Sequence, residues 1–199
     1  MKLQTLIFFG RSGSGKGTQA NRLIKFITDH DKDGKVLHIE IGQKLREFAV
    51  RDNYTAKLTQ KVMNEGGLLP VFMPTWTWTN LLIEKFTGEE HLLMEGLVRH
   101  SSQAEILDSA LKFYNLKNPT VILINVSSVW AKERLLERGR VDDTSEAIDR
   151  RMAWFGANVV PVIDYFRNNG YYKLIEINGE QPVEKVHQDI VSMIDWKDD

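Results

Sequence analysis

The chain has 199 residues, of which 42% are hydrophobic, and its 26 basic and 27 acidic residues leave a net charge of −1. This length suits one domain with a sizeable core, and the near-zero charge argues against nucleic-acid binding through bulk electrostatics. The absence of cysteine excludes disulfides and thiolate zinc sites. No apolar run approaches the roughly 18 residues of a membrane span, so we expect a soluble cytoplasmic protein without a membrane partner.

The first predicted elements are a strand, a glycine-rich turn and a helix. An apolar run from Leu3 to Phe9 precedes the turn at 10–18, GRSGSGKGT, and helical periodicity follows it. The turn matches the phosphate-loop pattern G-x-x-x-x-G-K-[ST] around Lys16, except that Gly17 follows the lysine and the hydroxyl comes one position later, at Thr18. Such a turn directs backbone N–H groups and a helix N-terminus at one anion. A glycine-rich turn without a ligand is the alternative, but the order of the elements favours a polyphosphate site.

Strands and helices then alternate along the chain. Further strands are predicted at 36–41, 91–94, 120–126 and 172–177, each preceded or followed by a segment with helical periodicity. The continuous apolar run at 120–126 is typical of a central parallel strand that is covered on both faces. This alternation predicts βαβ units and a mostly parallel sheet.

Several local signals accompany these elements. The sequence Ser102–Glu105 predicts a capping box at a helix start, and Asp143 is placed to cap a long helix in which Pro161 predicts a kink. Trp76 and Trp78 alternate with threonines, as in a short exposed strand or a hydrophobic flap, and we expect them to serve core or oligomer packing rather than nucleotide stacking. The five histidines have no metal-ligand spacing, so we expect them to be structural or solvent-facing.

Five motifs follow one another along almost the whole chain. They are the phosphate loop at 10–19, IGQKLR at 41–46, EGLVR at 95–99 with Gln103 four residues beyond, RLLERGRVDD at 134–143 followed by Arg151, and INGEQPV at 177–183. With these motifs the sequence resembles the nucleoside monophosphate kinases and, within them, the adenylate kinases. The resemblance implies an α/β, three-layer phosphate-loop fold with a central parallel five-stranded sheet, a helical monophosphate-binding insertion and a very short lid. Within a single domain, 1–199, it implies a core at 1–41, 87–138 and 144–199, a monophosphate-binding segment at 42–86 and a minimal lid at 139–143.

The same resemblance implies an ATP- and Mg²⁺-dependent phosphotransferase that converts ATP and AMP reversibly into two ADP. Because the acceptor phosphate is already an anion, catalysis needs positioning and positive charge rather than a general base. The implied catalytic residues are Lys16, Arg99, Arg138, Arg140 and Arg151. The implied ATP-binding residues are Gly13, Ser14, Gly15, Lys16, Gly17, Thr18, Arg134, Arg138 and Gln181.

The implied monophosphate site is drawn from several motifs. Its residues are Ile41, Arg46, Gly67, Leu68, Leu69, Gly96, Arg99, Gln103, Arg140 and Arg151. No side chain is expected to bind the metal directly; Glu95 would act through water, and the Thr18 hydroxyl is a further candidate. Gln103 would read adenine, although its spacing also suits an early-helix capping role. We expect a monomer whose partners are nucleotides.

Several residues depart from the family pattern and keep two other hypotheses open. Ile41 replaces a hydroxyl residue beside the acceptor base, which leaves a UMP or CMP kinase as an alternative. Gln43 replaces an aspartate, Glu95 replaces the aspartate that organises magnesium-bound water, and the lid is minimal, which together suggest a nucleotide-binding protein with decayed catalysis. Ser12 and Val98 replace prolines of the family. The retained lysine and arginines favour an active kinase.

Overall fold

A five-stranded parallel sheet forms the centre of the protein, in a computed structural model that describes residues 1–197. The strands are β1 Thr5–Phe9, β2 Lys35–Glu40, β3 Glu90–Glu95, β4 Thr120–Asn125 and β5 Lys173–Asn178. Their order in the sheet is β2-β3-β1-β4-β5, and every neighbouring pair is parallel. The parallel sheet predicted from the alternation of elements is therefore confirmed.

Helices connect the strands and cover both faces of the sheet. They are α1 Lys16–His30, α2 Ile41–Ala49, α3 Tyr54–Asn64, α4 Phe72–Lys85, α5 Ser101–Phe113, α6 Ser128–Arg138, α7 Ser145–Trp154, α8 Val160–Asn168 and α9 Val183–Met193, with a π-helical segment at Phe155–Val159 between α7 and α8. No helix within residues 1–197 combines the length and the apolar character that a membrane crossing requires.

Alternate side chains of β1 enter two separate cores, which produces three layers. Leu6 and Phe8 pack in one apolar cluster with residues of α1 and α9. Ile7 and Phe9 point the other way and pack in the second cluster with residues of α4, α5 and α8. A strand with apolar residues on both faces is the expected centre of a doubly covered parallel sheet. The three-layer α/β class is confirmed.

The strand order places a crevice where β1 has β3 on one side and β4 on the other. The carboxyl ends of parallel strands lie at one edge of the sheet, and ligands of such folds bind where the order of the strands reverses. The phosphate loop leaves β1 at this edge, and Glu95 ends the neighbouring β3. The topology alone therefore brings the first and third sequence motifs together.

Three local predictions differ from the structure. Helix α5 begins with His100 as its N-cap and Gln103 at its third position, so the capping box lies two residues upstream of the predicted Ser102–Glu105. Thr144, whose Oγ1 accepts from the Ala147 N–H at 3.2 Å, caps α7, so the prediction that Asp143 caps it is wrong. The carboxylate of Asp143 binds arginines instead.

Trp76 and Trp78 lie on a helix rather than in a strand or flap. Helix α4 begins at Phe72 and carries both. Trp78 is fully buried in the core, and Trp76 is half exposed, with its ring 5.9 Å from that of Phe48. The kink expected near Pro161 takes the form of the π-helical segment, which ends just before this residue at the start of α8.

A buried carboxylate joins α5 to the end of α8 and the start of β5. Asp108 accepts hydrogen bonds from the hydroxyl groups of Tyr165 and Tyr172, and the amide of Asn169 lies 3.4 Å away. Burial and the neighbouring carboxylate of Asp108 raise the pKa of Tyr172 above its ordinary value, so this hydroxyl remains a donor. Helix α5 follows the Arg99 motif and α8 follows α7, so this contact holds two sides of the crevice in register.

Replacement of this carboxylate tests its contribution. Asp108→Ala leaves two tyrosine hydroxyls without their acceptor, and we expect the free energy of unfolding to fall by about 2–4 kcal/mol in urea titrations. Asp164→Ala is the control, because its ion pair with Arg167 is exposed on α8 and should contribute about 1 kcal/mol or less. Equal small losses for the two variants would contradict the role assigned to Asp108.

Candidate functional site

One cleft of about 560 Å³ opens at the carboxyl edge of the sheet and gathers positive side chains from distant parts of the chain. Those that line it are Lys16, Arg46, Arg99, Arg134, Arg138, Arg140 and Arg151. They come from α1, α2, the loop after β3, α6, the short lid and α7. All seven cations of the predicted site therefore share a single cavity.

The phosphate loop forms the floor of this cleft. Gly13 and Gly15 have φ values of +84° and +90°, a left-handed conformation that glycine adopts without strain. A Cβ at Gly13 would lie 2.6 Å from the Ala131 carbonyl oxygen, so the loop also packs tightly against α6. No side chain caps α1, and its first N–H groups remain as hydrogen-bond donors at the positive end of the helix dipole. The loop is thus built to receive an anion.

Lys16 is held inside the loop by backbone oxygens. Its Nζ donates to the carbonyl of Gly10 at 2.8 Å and to that of Arg11 at 2.7 Å. Burial lowers the pKa of Lys16 to about 8; Glu95 opposes this shift, whereas the cations Arg99 and Arg138 add to it. A bound anion would favour the charged form of this lysine.

A carboxylate faces the loop from the end of β3. Glu95 is buried, and its Oε2 would lie 3.6 Å from a Cβ at Gly17. Its Oε1 lies 2.9 Å from Nε2 of His38, the one histidine that the structure brings to this carboxylate within residues 1–197. His38 carries no site role in the sequence prediction. The one feature of the sequence that could have indicated a role for His38 is that it shares a face of β2 with Glu40, near the carboxyl end of the strand.

Two arginines define the opposite side of the cleft. Arg46 on α2 lies 3.3 Å from the carboxylate of Glu40, which ends β2. Burial, together with the like charges of Arg151 and Arg46, lowers the pKa of Arg99 to about 10. These cations are held close together at an energetic cost that a phosphate dianion would relieve.

A second, small cavity of about 20 Å³ lies beside Arg99. Its lining is mostly apolar and consists of Leu45, Leu68, Leu69, Val71, Pro74, Arg99, His100 and Gln103. Gln103 is buried: its Oε1 accepts from the backbone N–H groups of Arg99 and His100 at 2.9 and 3.1 Å, and its Nε2 lies 3.3 Å from the Thr75 hydroxyl. Its carbonyl oxygen is thus already used by the helix start.

The short lid is fixed by a buried ion-pair network. Arg138 forms a two-point contact with Asp143 at 2.9 and 2.8 Å, and Arg151 reaches the same carboxylate at 2.8 Å and that of Asp142 at 2.5 Å. Burial by itself raises the pKa of Asp143, but hydrogen bonds from the two arginines outweigh it, and the pKa lies below its ordinary value. The lid at 139–143 is therefore tied to both flanking helices.

Helix α6 carries an arginine against an aromatic ring in the cleft. The guanidinium of Arg134 lies 4.7 Å from the centre of the Trp130 ring, one helical turn before Arg138. Gln181, after β5, also lines the cleft, and its amide donates to Asp189 at 2.7 Å.

The predicted site residues fall into three groups by position. The cleft contains, besides the cations, Gly13, Ser14, Gly15, Gly17, Thr18, Gly67, Leu69, Gly96 and Gln181. Leu68 and Gln103 line the small cavity instead. Ile41 lines neither: its side chain is fully buried in the core, because it points away from the cleft at the start of α2. The cleft also contains residues that the sequence does not single out, among them Glu40, Trp130, Asp142 and Trp154.

A phosphate loop on a parallel sheet of this order, facing arginines from five other segments, defines the class of phosphate-loop nucleotide-binding phosphotransferases. Comparison with known proteins narrows this class. The profile of the family described as adenylate kinase matches residues 8–171. The chain therefore belongs to the adenylate kinase family.

Individual relatives align with this chain over nearly its full length and nearly their own. The chain is 32% identical to the adenylate kinase of Azobacteroides pseudotrichonymphae, over 94% of this chain and 95% of that protein. It is 29% identical to the adenylate kinase of Leuconostoc mesenteroides, over 96% of this chain and 97% of that protein. The adenylate kinase of Nitrobacter hamburgensis is 30% identical, over 96% of this chain and 91% of its own length.

Loss of the lid carboxylate should destabilise the protein in a pH-dependent way. Asp143→Asn leaves Arg138 and Arg151 facing a neutral group, and we expect a loss of about 3 kcal/mol in the free energy of unfolding at pH 7. Because the pKa of Asp143 is lowered on folding, its stabilisation is complete above the ordinary carboxyl pKa and disappears as the pH falls through the lowered value. Urea titrations should therefore show the wild type and the variant converging toward pH 3.

Asp149→Asn is the matched control for this experiment. Asp149 pairs with Lys132 on the exposed side of α7, so the change should remove about 1 kcal/mol or less at pH 7. A deficit of Asp143→Asn that stays constant from pH 7 to pH 3 would contradict the assignment.

Proposed function

We propose that this protein is an active adenylate kinase, which transfers the γ-phosphoryl group of ATP to AMP reversibly and yields two ADP. The observation that carries the proposal is the convergence of Lys16 and six arginines on one cleft above the phosphate loop. Phosphoryl transfer disperses negative charge over the phosphate oxygens, and fixed cations around the transferring group are what lowers its barrier. Membership of the adenylate kinase family supports the same reaction.

The phosphate loop is the proposed donor site. Backbone N–H groups of residues 13–18 would hold the β- and γ-phosphates, and Lys16 would exchange its bonds to Gly10 and Arg11 for phosphate oxygens. Arg138 is proposed to contact ATP phosphate, and Arg134, beside Trp130, to stack on the adenine. Gln181 lies near this end of the cleft and is a further proposed contact.

The acceptor site is proposed on the other wall. Arg46 and Arg99 would hold the AMP phosphate with their planar, two-point geometry, which lysine cannot supply. Arg140 and Arg151 would act on the transferring group between the two nucleotides. We assign residues 42–86 to acceptor binding and 139–143 to the lid, with the rest of the chain as core, because a helical segment and a short loop contribute to the cleft at these positions.

The site is suited to a Mg²⁺ ion that is held mainly by the nucleotide phosphates, with the Glu95 carboxylate nearby. Within residues 1–197 no three acidic or histidine side chains form a cage for a metal ion. Glu95, buried and directed at the phosphate loop, is suited to hold water on a phosphate-bound ion, and the Thr18 hydroxyl lies in the same cleft. When bound, Mg²⁺ would neutralise charge on the β- and γ-phosphate oxygens. His38 would keep the Glu95 carboxylate oriented from behind.

The identity of the base in the acceptor nucleotide leaves a second candidate function open. The small cavity beside Arg99 is apolar apart from Gln103 and its neighbours, and the Gln103 carbonyl oxygen is occupied by two backbone N–H groups. Nε2 is the freer end, since its contacts with Thr75 and Val71 are 3.3 and 3.4 Å long. An amide N–H donor suits N1 of adenine or a pyrimidine carbonyl oxygen, so a UMP or CMP kinase is the second candidate.

We also propose that the protein acts as a monomer in the cytoplasm. Every side chain of the proposed site comes from one chain, so assembly of the site requires no second copy. Membership of the family supports the proposed cytoplasmic location.

The experiment that tests the proposal is a turnover measurement with four acceptors. Purified protein is incubated with ATP, Mg²⁺ and AMP, UMP, CMP or GMP, and the diphosphates are quantified. We expect AMP to give the highest kcat/KM. Higher kcat/KM with UMP or CMP would establish the second candidate, whereas ATP binding without turnover of any acceptor would establish the decayed nucleotide-binding protein.

Removal of one lid cation should slow the reaction without unfolding the protein. Arg140→Met is suitable because, within residues 1–197, the Arg140 guanidinium forms no ion pair within 4.0 Å, so no buried carboxylate loses its partner. We expect kcat with ATP and AMP to fall by about 10²-fold or more. Arg150→Met is the control, because Arg150 is exposed on α7, and its kcat should stay within about twofold. A normal rate for Arg140→Met would remove this residue from the proposed mechanism.

The lowered pKa of Lys16 predicts a pH dependence of nucleotide binding. In the free protein this lysine loses its proton as the pH rises through about 8, so the affinity for ATP should fall by about tenfold between pH 7 and pH 9 in calorimetric titrations. Lys16→Met should bind weakly, with no such alkaline decrease. Lys25→Met, which changes an exposed lysine of the same helix, should keep the wild-type profile. A flat wild-type profile would contradict the assignment.

A further inference from the structure

Trp154 ends α7 at the wall of the cleft, three residues after Arg151, and is not used by the proposed function. The π-helical segment Phe155–Val159 begins directly after it. This change of helix type presents two successive aromatic side chains to two arginines: the guanidinium of Arg99 lies 5.3 Å from the Trp154 ring centre, and that of Arg11 lies 4.7 Å from the Phe155 ring centre. π-Helical segments occur frequently at functional sites.

Arg99 needs such a neighbour more than Arg46, Arg138 and Arg151 do, because these three have carboxylate partners. Arg46 pairs with Glu40, and Arg138 and Arg151 pair with Asp143. In the part of the chain that the structure describes, no carboxylate pairs with Arg99, and its charged neighbours Arg151 and Arg46 repel it. The negative face of the Trp154 ring is therefore the attractive partner that the structure provides for this guanidinium.

The chemistry of that partner matters for an anion site. A carboxylate beside an arginine competes with an incoming phosphate, so the ion pair must break or share its donors when phosphate binds. An indole ring is neutral, so a ring 5.3 Å from the guanidinium attracts its charge without competing with phosphate as a carboxylate would. Arg99 is thus held in place without losing its capacity for two-point phosphate binding.

Trp154 also touches the acceptor-binding segment directly. Its Nε1–H donates to the Gly66 carbonyl at 3.1 Å. Gly66 has a φ of +68°, and a Cβ there would lie 2.3 Å from the carbonyl oxygen of Ala147 on α7. Only glycine permits this approach of the α3–α4 connection to α7. The ring edge and the ring face of Trp154 therefore serve two contacts, one with the acceptor segment and one with Arg99.

We propose that Trp154 is a positioning residue for the acceptor phosphate: its ring holds Arg99 ready for two-point binding, and its N–H fastens the acceptor-binding segment to α7. The inference rests on the proposed function, because it assigns Arg99 to the acceptor phosphate. It adds a specific link between the helix that follows the lid and the acceptor side of the cleft. The donor site does not depend on this link, since Lys16 and Arg134 lie on other elements.

Steady-state kinetics and calorimetric binding of AMP test the proposal in two variants. Trp154→Leu removes both contacts, and we expect KM for AMP to rise about tenfold and kcat to fall about tenfold, with KM for ATP within about twofold of the wild type. Trp154→Phe keeps a ring face but loses the N–H donor, so kcat should stay within about threefold while KM for AMP rises about threefold. This variant keeps the test valid if Trp154→Leu does not fold.

Trp196→Leu is the matched control. Trp196 also donates its Nε1–H to a backbone carbonyl, that of Val191 at 3.0 Å, and packs on the Phe26 ring away from the cleft. It should lower the melting temperature without changing KM for AMP. If Trp154→Leu raises KM for ATP and AMP equally, or if Trp196→Leu reproduces its kinetic effect, Trp154 is merely structural and the proposal is overturned.

A double variant shows whether the effect passes through Arg99. Arg99→Lys already loses two-point binding, so Arg99→Lys with Trp154→Leu should be little worse in kcat/KM for AMP than Arg99→Lys alone. Losses that multiply would overturn the proposal.

A wild-type protein that binds AMP but forms no ADP would refute the proposed function alone, because the AMP affinities of the Trp154 variants would still test the inference. A wild type that binds ATP but no AMP would overturn both.

Discussion

Seven positive side chains share one cleft, and their mutual repulsion is the constraint that the rest of the structure has to satisfy. Burial is the larger cause of the lowered pKa of Lys16, about 8, and of Arg99, about 10, and neighbouring cations add to it. The folded chain nevertheless holds these charges in one cleft, in part through carboxylates that pair with some of the arginines. Polyphosphates bring the negative charge that the site lacks, so binding relieves the strain that folding creates.

Carboxylates balance part of this charge, and each does so in a different way. Asp143 is fully enclosed and pairs with two arginines, which fixes the lid to α6 and α7. Glu40 is more exposed and makes a single contact of 3.3 Å with Arg46. A loose, exposed pair is easily exchanged for a phosphate, whereas a buried network is not. The carboxylates of this cleft are thus of two kinds. Asp143 stabilises the scaffold, whereas Glu40 can release Arg46 to a bound phosphate.

The substitutions that distinguish this chain from its family's pattern are accommodated by local contacts. Glu95 carries a longer side chain than aspartate, and His38 meets its carboxylate from the neighbouring strand. Ile41 carries no hydroxyl and packs in the core instead. The cavity that we propose for the acceptor base has a mostly apolar lining and one amide, that of Gln103, so we expect base preference to depend on shape as much as on hydrogen bonding.

The sequence by itself determined the class of fold and the cations that line the cleft. Apolar runs of strand length, the glycine-rich turn and alternating helical segments specify a parallel sheet with a phosphate loop, since these signals are local and periodic. The motifs that carry Arg46, Arg99, Arg138 and Arg151 also predicted which cations would meet. Only the tertiary structure decided which contacts hold these side chains in place. The pairing of His38 with Glu95, the ring of Trp154 on Arg99 and the approach of Gly66 to Ala147 join residues that are far apart in the chain. Such contacts produce no periodic pattern in the sequence, because they depend on how complete helices and strands pack against one another.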